Sequence, residues 1–453
     1  MTPEELAAVR GRLAEFAAEV FAPLARSDQR GKGQTYLRGL LLDGRRKSMQ
    51  PMAERLGVDH QGLQQFVSSS TWEVEPIRER LARRAVEVIA PDAWVVDDTG
   101  FPKDGLASPG VARLYSGTLG KVANCQIGVS VSAVTDTVSC PLNWRLFVPE
   151  CWDDALAATP EAAAAIRDRR ARAGIPDSVR HREKWRLALD MLDELAGWEL
   201  APPVVAADAG YGDNADFRNG VTARGRAWVV QVNHNLTAHP ADAMPEVKPY
   251  SGRGRHPLPR YRTPPVGLRE HVLAAGRDAA VEVTWREGSR GPLTSHFVAL
   301  RVRPAGRKPT ARLADNGSLP LAWLLAEWPP EAAKPTDYWL ASLPADTPLA
   351  ELVRLAKIRW RIEHDYRELK TALGLTTSRA APSPAGIATS PWSPPPSCSS
   401  PCCGPAQKWL RRPESLCRAP PTAGTARDLD WHLHRLRTAH RHPPPGADLT
   451  KYY

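Results

Sequence analysis

The sequence predicts an α/β protein built around a mixed sheet, with a helical segment before the sheet and a β-rich insertion within it. Two short apolar runs, 93–100 and 203–210, each end in aspartate followed closely by glycine. Continuous apolar runs bounded by turn residues are typical of strands buried on both faces of a sheet. A third segment, 346–375, has the apolar periodicity of a helix. Strands and helices therefore follow one another as an α/β core requires.

Residues 1–88 predict a helical domain. The segment 52–58 contains a glycine turn between two short helices, which resembles a helix-turn-helix whose second helix enters a major groove. A plain three-helix packing unit fits the same pattern equally, because any helical hairpin with a glycine turn looks similar. A basic segment precedes the turn. If this domain binds DNA, we expect Arg45, Arg46 and Lys47 to contact phosphates rather than bases.

Residues 89–234 predict the first part of the core. Alternation of apolar and polar residues favours paired antiparallel strands, and apolar periodicity then favours a helix before the second aspartate-ended run. The predicted order is strands at 126–134 and 142–148, a helix at 182–195, and a strand at 227–232.

Residues 235–345 are predicted to be an insertion, because the distance in sequence between Asp208 and Glu363 is far greater than one helix needs. The runs 281–285 and 296–302 alternate cleanly, so we expect a mostly β subdomain. A basic segment within it fits either a phosphate-binding ribbon or a solvated loop rich in proline and glycine. Its residues are Arg253, Arg255, Arg260, Tyr261, Arg262 and Arg269.

The segment 346–375 predicts one continuous helix. Thr347 has the residue type of a helix cap, Pro348 that of a first helical residue, and Gly374 that of a stop. On this helix Arg359 lies about 40° and Lys370 about 20° from Glu363 in rotation about the helix axis. One carboxylate and two cations therefore share one side of the helix.

Three acids combine into a candidate metal site: one of the adjacent pair Asp97 and Asp98, together with Asp208 and Glu363. Acids at the carboxyl ends of strands point into the crevice where open α/β sheets hold their sites. Taken singly, each aspartate also fits a turn, and Glu363 with Arg359 also fits a surface ion pair worth about 0.3–0.5 kcal/mol. Taken together, they favour two Mg²⁺ ions, hard cations that prefer oxygen ligands.

The spacing of the charged helix resembles a known signature. DDE transposases of bacterial insertion sequences, in the IS-four superfamily and its IS-seven-oh-one-like branch, have Tyr, two residues, Arg, three residues, Glu, six residues and Lys, the YREK signature. Arg359, Glu363 and Lys370 fit this spacing, whereas Ala356 stands at the tyrosine position and removes a hydroxyl. The resemblance covers about residues 20–375 and extends to the motifs at 100–103 and 115–121.

The resemblance implies an RNase H-like catalytic core that cleaves DNA strands and transfers them with Mg²⁺. The family's first aspartate is followed by threonine, which selects Asp98 over Asp97, and its second falls on Asp208. With Glu363, these residues would bind two Mg²⁺ ions, for which Mn²⁺ could substitute. The resemblance also implies double-stranded DNA as partner, a homodimer on DNA, and DNA contacts from Arg359, Lys370, Lys103 and Lys121.

Composition agrees with these expectations. The 453 residues carry a formal net charge of +10, which favours a polyanionic partner, although arginine-rich composition alone has the same effect. No apolar run is long enough to span a membrane and the N-terminus has no signal-peptide pattern, so we expect a cytoplasmic, nucleoid-associated protein. Seven cysteines without a CxxC pair argue against a zinc ribbon or a disulfide framework.

Residues 376–453 depart from the resemblance and are predicted to be a low-complexity, disordered tail. They hold fourteen of the 43 prolines and four of the seven cysteines. GC-rich codons for a family-like Asp-His-Phe-Glu-Gly-Arg, read one base late, give the run 376–381, so we expect a frameshift near residue 376. This leaves two alternatives to a working transposase: a catalytically defective DNA-binding remnant, and an RNase H-like nuclease without strand transfer.

Overall fold

The computed structural model describes residues 2–42, 44, 47–116, 120–247, 249–254, 256, 259–288, 291–306 and 317–371. Five helices come first. A capping box begins the first of them, because Thr2 Oγ1 accepts from the Glu5 amide while the Glu5 carboxylate accepts from the Thr2 amide. The helices are α1 (Pro3–Phe21), α2 (Ser27–Leu41), α3 (Met49–Leu56), α4 (His60–Ser68) and α5 (Glu75–Ile89).

The helices α3 and α4 form the predicted hairpin. Gly57 ends α3 with φ of 66°, a left-handed conformation that glycine adopts without strain, and Asp59 caps α4 by accepting from the Gly62 amide. Phe66 on α4 is buried and stacks on Trp72 with ring centroids 5.1 Å apart. The helical character of this region is as predicted, and its role in DNA binding stays a prediction.

A mixed sheet follows and forms the core. Its elements are β1 (Ala93–Pro102), β2 (Ala112–Ser116), β3 (Lys121–Val134), β4 (Ser139–Phe147), α6 (Pro160–Ala173), α7 (Lys184–Gly197), β5 (Val204–Ala207), α8 (Ala209–Gly212), α9 (Ala215–Ala223) and β6 (Ala227–Val232). In space the strands run β4-β3-β1-β5-β6. β3 is antiparallel to β1 and β4, whereas β5 is parallel to both β1 and β6. This mixed sheet with flanking helices is consistent with the predicted RNase H-like core.

The strands of the predicted insertion extend this same sheet. They are β7 (Thr237–Pro240), β8 (Val266–Gly267), β9 (Val281–Gly288), β10 (Gly291–Pro304), β11 (Ala322–Glu327) and β12 (Asp337–Ala341), with α10 (Leu268–Ala275) between β8 and β9. β12 pairs antiparallel with β6, and the order continues through β11 and β10 to β7 and β8. Within the described residues the result is one sheet of twelve strands. The apolar core therefore runs continuously from the helical domain through the extension.

The predicted continuous helix near the end of the described chain is wrong in one respect. Two helices replace it, α11 (Leu349–Lys357) and α12 (Trp360–Thr371), separated by a turn at Ile358 and Arg359. Pro348, with ψ of 144°, is the cap rather than the first helical residue, and the Thr347 hydroxyl donates to the Pro344 carbonyl instead of capping the helix. Gly374 and the predicted tail 376–453 lie outside the described residues.

Among the helices that the structure describes, none combines the length and the apolar character needed to cross a membrane.

Gly212 fixes how α8 packs on the sheet. A Cβ at this position would lie 1.9 Å from the carbonyl oxygen of Gln231 on β6, which is a backbone atom that cannot rotate away. We predict that Gly212→Ala lowers the free energy of unfolding by about 1–3 kcal/mol through overpacking. Chemical denaturation measures this, with Gly197→Ala as control because nothing lies within 4 Å of its added Cβ. Equal stability of the two variants would contradict the packing argument.

Candidate active site

Two neighbouring carboxylates on β1 face opposite sides of the sheet, because successive side chains of a strand alternate. Asp97 pairs across the ladder with Ser130, whose hydroxyl lies 2.7 Å from the hydroxyl of Tyr366 on α12. The carboxylate of Asp98 accepts from Lys184 on α7, with Nζ 3.0 Å from each oxygen. Asp97 therefore belongs to the face that α12 covers, and Asp98 to the face that α7 covers.

Arg359 joins the first strand to the last described helix. Its Nη1 lies 3.1 Å from Oδ2 of Asp97, and its Nη2 lies 3.1 Å from Oε1 of Glu363. Burial opposes the charge of this guanidinium, but the charges of Asp97, Glu363 and Asp208 outweigh it and raise the pKa of Arg359. The arginine thus lies between a buried carboxylate of the sheet and an exposed carboxylate of the helix.

Asp208 lies beside the carboxylates of β1. Val96 on β1 pairs with Ala207 on β5 in a parallel ladder. The residues that follow these two in the chain, Asp97 and Asp208, therefore lie beside each other. Asp208 also caps α8, with its Oδ1 accepting from the Gly210 amide at 3.0 Å. Burial, reinforced by the charge of Asp98 and opposed by Arg359, raises the pKa of Asp208.

Burial dominates the electrostatics of Asp97. Desolvation raises the pKa of its carboxyl to about 7, Arg359 opposes the shift, and the charges of Asp208 and Asp98 add to it. Asp98 has a different environment, since Tyr211 on α8 donates to its Oδ2 at 3.2 Å in addition to the contacts from Lys184. Burial, with the charge of Asp98, raises the pKa of Tyr211, which keeps its phenol protonated as a donor.

The donor set fits Mg²⁺ in kind, because all four carboxylates offer hard oxygen ligands. Besides burial, the charge of Asp98 raises the pKa of both Asp97 and Asp208, so these carboxylates repel one another. A divalent cation would offset that repulsion. Within the part of the chain that the structure describes, however, no three His, Cys, Asp or Glu side chains lie close enough together to hold a metal ion. Arg359 provides the positive charge between Asp97 and Glu363 instead.

The residues predicted to contact DNA have varied environments. Lys370 is buried, with Nζ 5.6 Å from the ring centroid of Phe101, and burial lowers its pKa to about 8. Lys47 is also buried and donates to the Leu42 carbonyl. These two lysines are therefore buried, although the sequence predicts that both of them contact DNA. Lys121 is exposed at the start of β3, Lys103 follows β1, and Arg45 and Arg46 lie outside the described residues.

Sequence reasoning missed three residues of this neighbourhood: Asp97, Lys184 and Tyr211. The motif argument passed over Asp97 in favour of the aspartate next to threonine. Alternation along β1 was the available signal, because it requires Asp97 and Asp98 to face different helices. No sequence signal marks Lys184 and Tyr211, which reach Asp98 only once α7 and α8 have packed on the sheet.

Comparison with known proteins identifies the family. The family model described as DDE superfamily endonuclease matches residues 19–292. The chain belongs to the DDE superfamily endonucleases. The matched span includes β1 with Asp97 and Asp98, and β5 with Asp208, and it ends before α12 and Glu363.

A curated relative supports the same family. It is described as a probable transposase for insertion sequence element IS701, from Microchaete diplosiphon, and is 32% identical over 114 residues. The aligned segment is 24% of this chain and 30% of that protein, so the alignment spans less than a third of either. The predicted membership of the DDE superfamily is confirmed by the family match, and this alignment supports it.

The raised pKa of Asp97 predicts a pH-dependent stability. Its carboxyl titrates near 7 in the folded chain and near 3.8 when unfolded, so the folded state binds more protons between these values and stability falls as pH rises. We predict that Asp97→Asn, measured in EDTA, gains stability relative to the parent between pH 4 and 7, by at most about 1.4 kcal/mol per pH unit.

Thermal unfolding at pH 5 and pH 8 checks this prediction. The exposed Asp346→Asn controls for the change of side chain. A difference between Asp97→Asn and the parent that stays constant with pH would show that burial does not control this carboxyl.

Proposed function

We propose that this protein is a DNA transposase of an insertion sequence, which binds the element ends and catalyses metal-dependent strand cleavage and transfer. One observation carries the proposal: the carboxylates in the middle of β1 lie beside Asp208 at the end of β5, and Arg359 links β1 to Glu363 on α12. Membership of the DDE endonucleases supports nuclease chemistry. The Microchaete diplosiphon relative is described as a probable transposase, which supports transposition as the reaction that this nuclease chemistry serves.

We propose that Asp208 and Glu363 hold Mg²⁺, as two ions, together with an aspartate of β1. The motif selects Asp98 for this role, whereas Asp97 lies on the face of the sheet that α12 covers. The parallel ladder supports the pairing of the β1 carboxylates with Asp208. When bound at such a site, divalent ions activate the attacking water or 3′-hydroxyl and stabilise the leaving oxygen. No covalent intermediate on the protein is required.

The chain's own cations and hydroxyls have separate roles in this proposal. Arg359 holds Asp97 and Glu363 in position, and its guanidinium suits a phosphate oxygen through paired donors. Lys184 and Tyr211 hold the Asp98 carboxylate from the other face of the sheet, which fixes its orientation. These contacts position the carboxylates before any substrate arrives.

The partner in this proposal is double-stranded DNA, both as element ends and as target. The net charge of +10 supports a polyanionic partner. We further propose a homodimer on DNA, because two ends must be brought together, and association with the nucleoid follows from DNA binding. The α3–α4 hairpin and the exposed Lys121 are the described features that support end binding.

The proposal predicts that Asp208→Asn and Glu363→Gln reduce Mg²⁺-dependent cleavage of an element-end duplex by about 10³-fold or more. Binding of the same duplex in EDTA should be retained, because neither change removes a cation. Gel shift and strand cleavage measured in parallel check this, with the exposed Asp346→Asn as control.

Parallel outcomes separate the alternatives. Binding by the parent protein without any cleavage would indicate a defective remnant, and cleavage of a precut terminus without joining would indicate a nuclease without strand transfer. Full cleavage by Asp208→Asn would refute the assignment of that residue.

The two aspartates of β1 are distinguished by substitution. The motif predicts Asp98 as the ligand, whereas the shared Arg359 and the adjacency to Asp208 favour Asp97. We expect the cleavage rate to fall at least about tenfold further in Asp97→Asn than in Asp98→Asn. Only Asp97→Asn removes a carboxylate from the face of the sheet that α12 covers. Steady-state cleavage in Mg²⁺ and Mn²⁺ measures this. The reverse ranking would establish the motif assignment instead.

A further inference from the structure

Two arginines share one tryptophan at the start of α12. The guanidinium carbon of Arg286 on β9 lies 3.4 Å from the ring centroid of Trp360, a stacking distance. The guanidinium carbon of Arg361 lies 5.9 Å from the same centroid. We call Arg286, Trp360 and Arg361 the arginine–tryptophan cluster. It combines a strand of the sheet extension with the first turn of the helix that carries Glu363.

A β-bulge positions the strand side of this cluster. Arg286 pairs with Leu293 of β10, but Thr284 pairs with the very next residue, Thr294, so Trp285 is an extra residue on β9. A bulge bends the strand and changes the direction of the adjacent side chains. The break between α11 and α12 positions the helix side of the cluster, because Trp360 becomes the first residue of α12 and Arg361 the second.

Among the residues that the structure describes, no carboxylate forms an ion pair with either guanidinium. Within the described parts of the chain, neither has an acidic oxygen within 4.0 Å, and the Nε of Arg361 is buried without a hydrogen-bond partner. Burial, and then the charge of Arg361, lower the pKa of Arg286. The Asp365 carboxylate lies near enough for Arg361 to influence its pKa, but it accepts from the Ser139 hydroxyl.

Two other cations that stack on tryptophan in the described residues either donate to backbone carbonyls or pair with a carboxylate. Arg277 lies 4.8 Å from the Trp328 ring and donates to the carbonyls of Pro329, Pro330 and Ala332. Lys357 lies 4.9 Å from the Trp339 ring and forms an ion pair with Glu327. The arginine–tryptophan cluster differs, because two like charges are held together with an unused donor. Such an arrangement is stabilised by an anion.

We propose that the arginine–tryptophan cluster binds a phosphodiester group of a DNA strand, an inference that rests on the proposed function. Arginine offers paired donors that match phosphate oxygens, and the positive end of the α12 dipole adds to the attraction. Trp360 holds the stacked guanidinium in place, which reduces the entropy lost on binding.

The position of the site indicates which phosphate it takes. Arg361 precedes Glu363 by two residues, so on a helix the two side chains lie roughly 200° apart. Arg359, by contrast, lies one turn before Glu363 and contacts it. The cluster therefore binds a phosphate that flanks the cleavage point, while Arg359 remains with the carboxylates.

Direct binding measurements test the proposal. The variants are Arg286→Met, which keeps the apolar stem on Trp360, Arg361→Met, and the pair of changes together. The probe is a fluorescent duplex carrying the end of the element that encodes this chain, titrated with full-length protein in EDTA over a range of salt. We expect each single change to weaken binding about tenfold, and the slope of log affinity against log salt to fall by about 0.9 for a lost phosphate.

Arg277→Met is the matched control, because it also removes a tryptophan-stacked arginine but one whose donors are used within the protein. It should leave both affinity and salt slope unchanged. Arg286→Lys keeps the charge and should restore part of the slope. Thermal unfolding of every variant confirms that the fold is retained.

The outcomes are separable from failure of the proposed function. If the parent protein binds the duplex and both single variants keep its affinity and slope, the phosphodiester site is refuted while the proposed function stands. If the parent does not bind DNA at all, the proposed function fails first and the site fails with it. A loss of affinity with an unchanged salt slope would also overturn the proposal, because it would indicate a change of shape rather than a lost phosphate contact.

Discussion

The parallel pairing of β1 with β5 is the constraint on which the candidate site depends. The ladder ends at Val96 and Ala207, and β5 stops there while β1 continues to Pro102. Asp208 therefore leaves the sheet next to Asp97 and immediately begins α8. Close contact between α8 and β6 keeps this departure fixed, since at Gly212 the two backbones approach too closely for any side chain. A shift of one residue in this ladder would move one carboxylate to the opposite face.

The position of Glu363 depends instead on the sheet extension and on the break between α11 and α12. Lys357, at the end of α11, lies near the rings of Trp285 and Trp339 and pairs with Glu327, so the extension holds this helix. After the turn, Tyr366 on α12 reaches Ser130 on the core strand β3. Arg359 lies in the turn between the two helices and contacts Asp97 and Glu363 at once. The extension contributes to the site by orienting a helix.

Much of this architecture was predictable from the sequence, because its signals are local. The apolar runs, the alternating strands and the cap residues predict β1, β5, β6 and α7 within a few residues. The break at Ile358 was not predictable, since the apolar periodicity passes through it without interruption and packing on two different parts of the sheet decides it. The contact of Arg359 with Glu363 was predictable, because the two residues are four apart in the sequence. The contact of Arg359 with Asp97 was not, because it depends on the folded sheet. The same holds for Lys184 and Tyr211 against Asp98.

If the protein binds DNA as proposed, the charge balance of the site requires DNA contacts elsewhere on the protein. Four carboxylates, at Asp97, Asp98, Asp208 and Glu363, are faced by the cations Arg359 and Lys184 in direct ion pairs. An excess of negative charge attracts divalent cations but repels a phosphodiester backbone, and low local dielectric strengthens both effects. In the proposed function, DNA affinity therefore comes largely from cations that lie outside this cluster, and a divalent cation bound there would offset the local repulsion of a phosphodiester. The phosphate site proposed at Arg286 and Arg361 fits that requirement, because both guanidiniums lie against Trp360 at the start of the helix that carries Glu363.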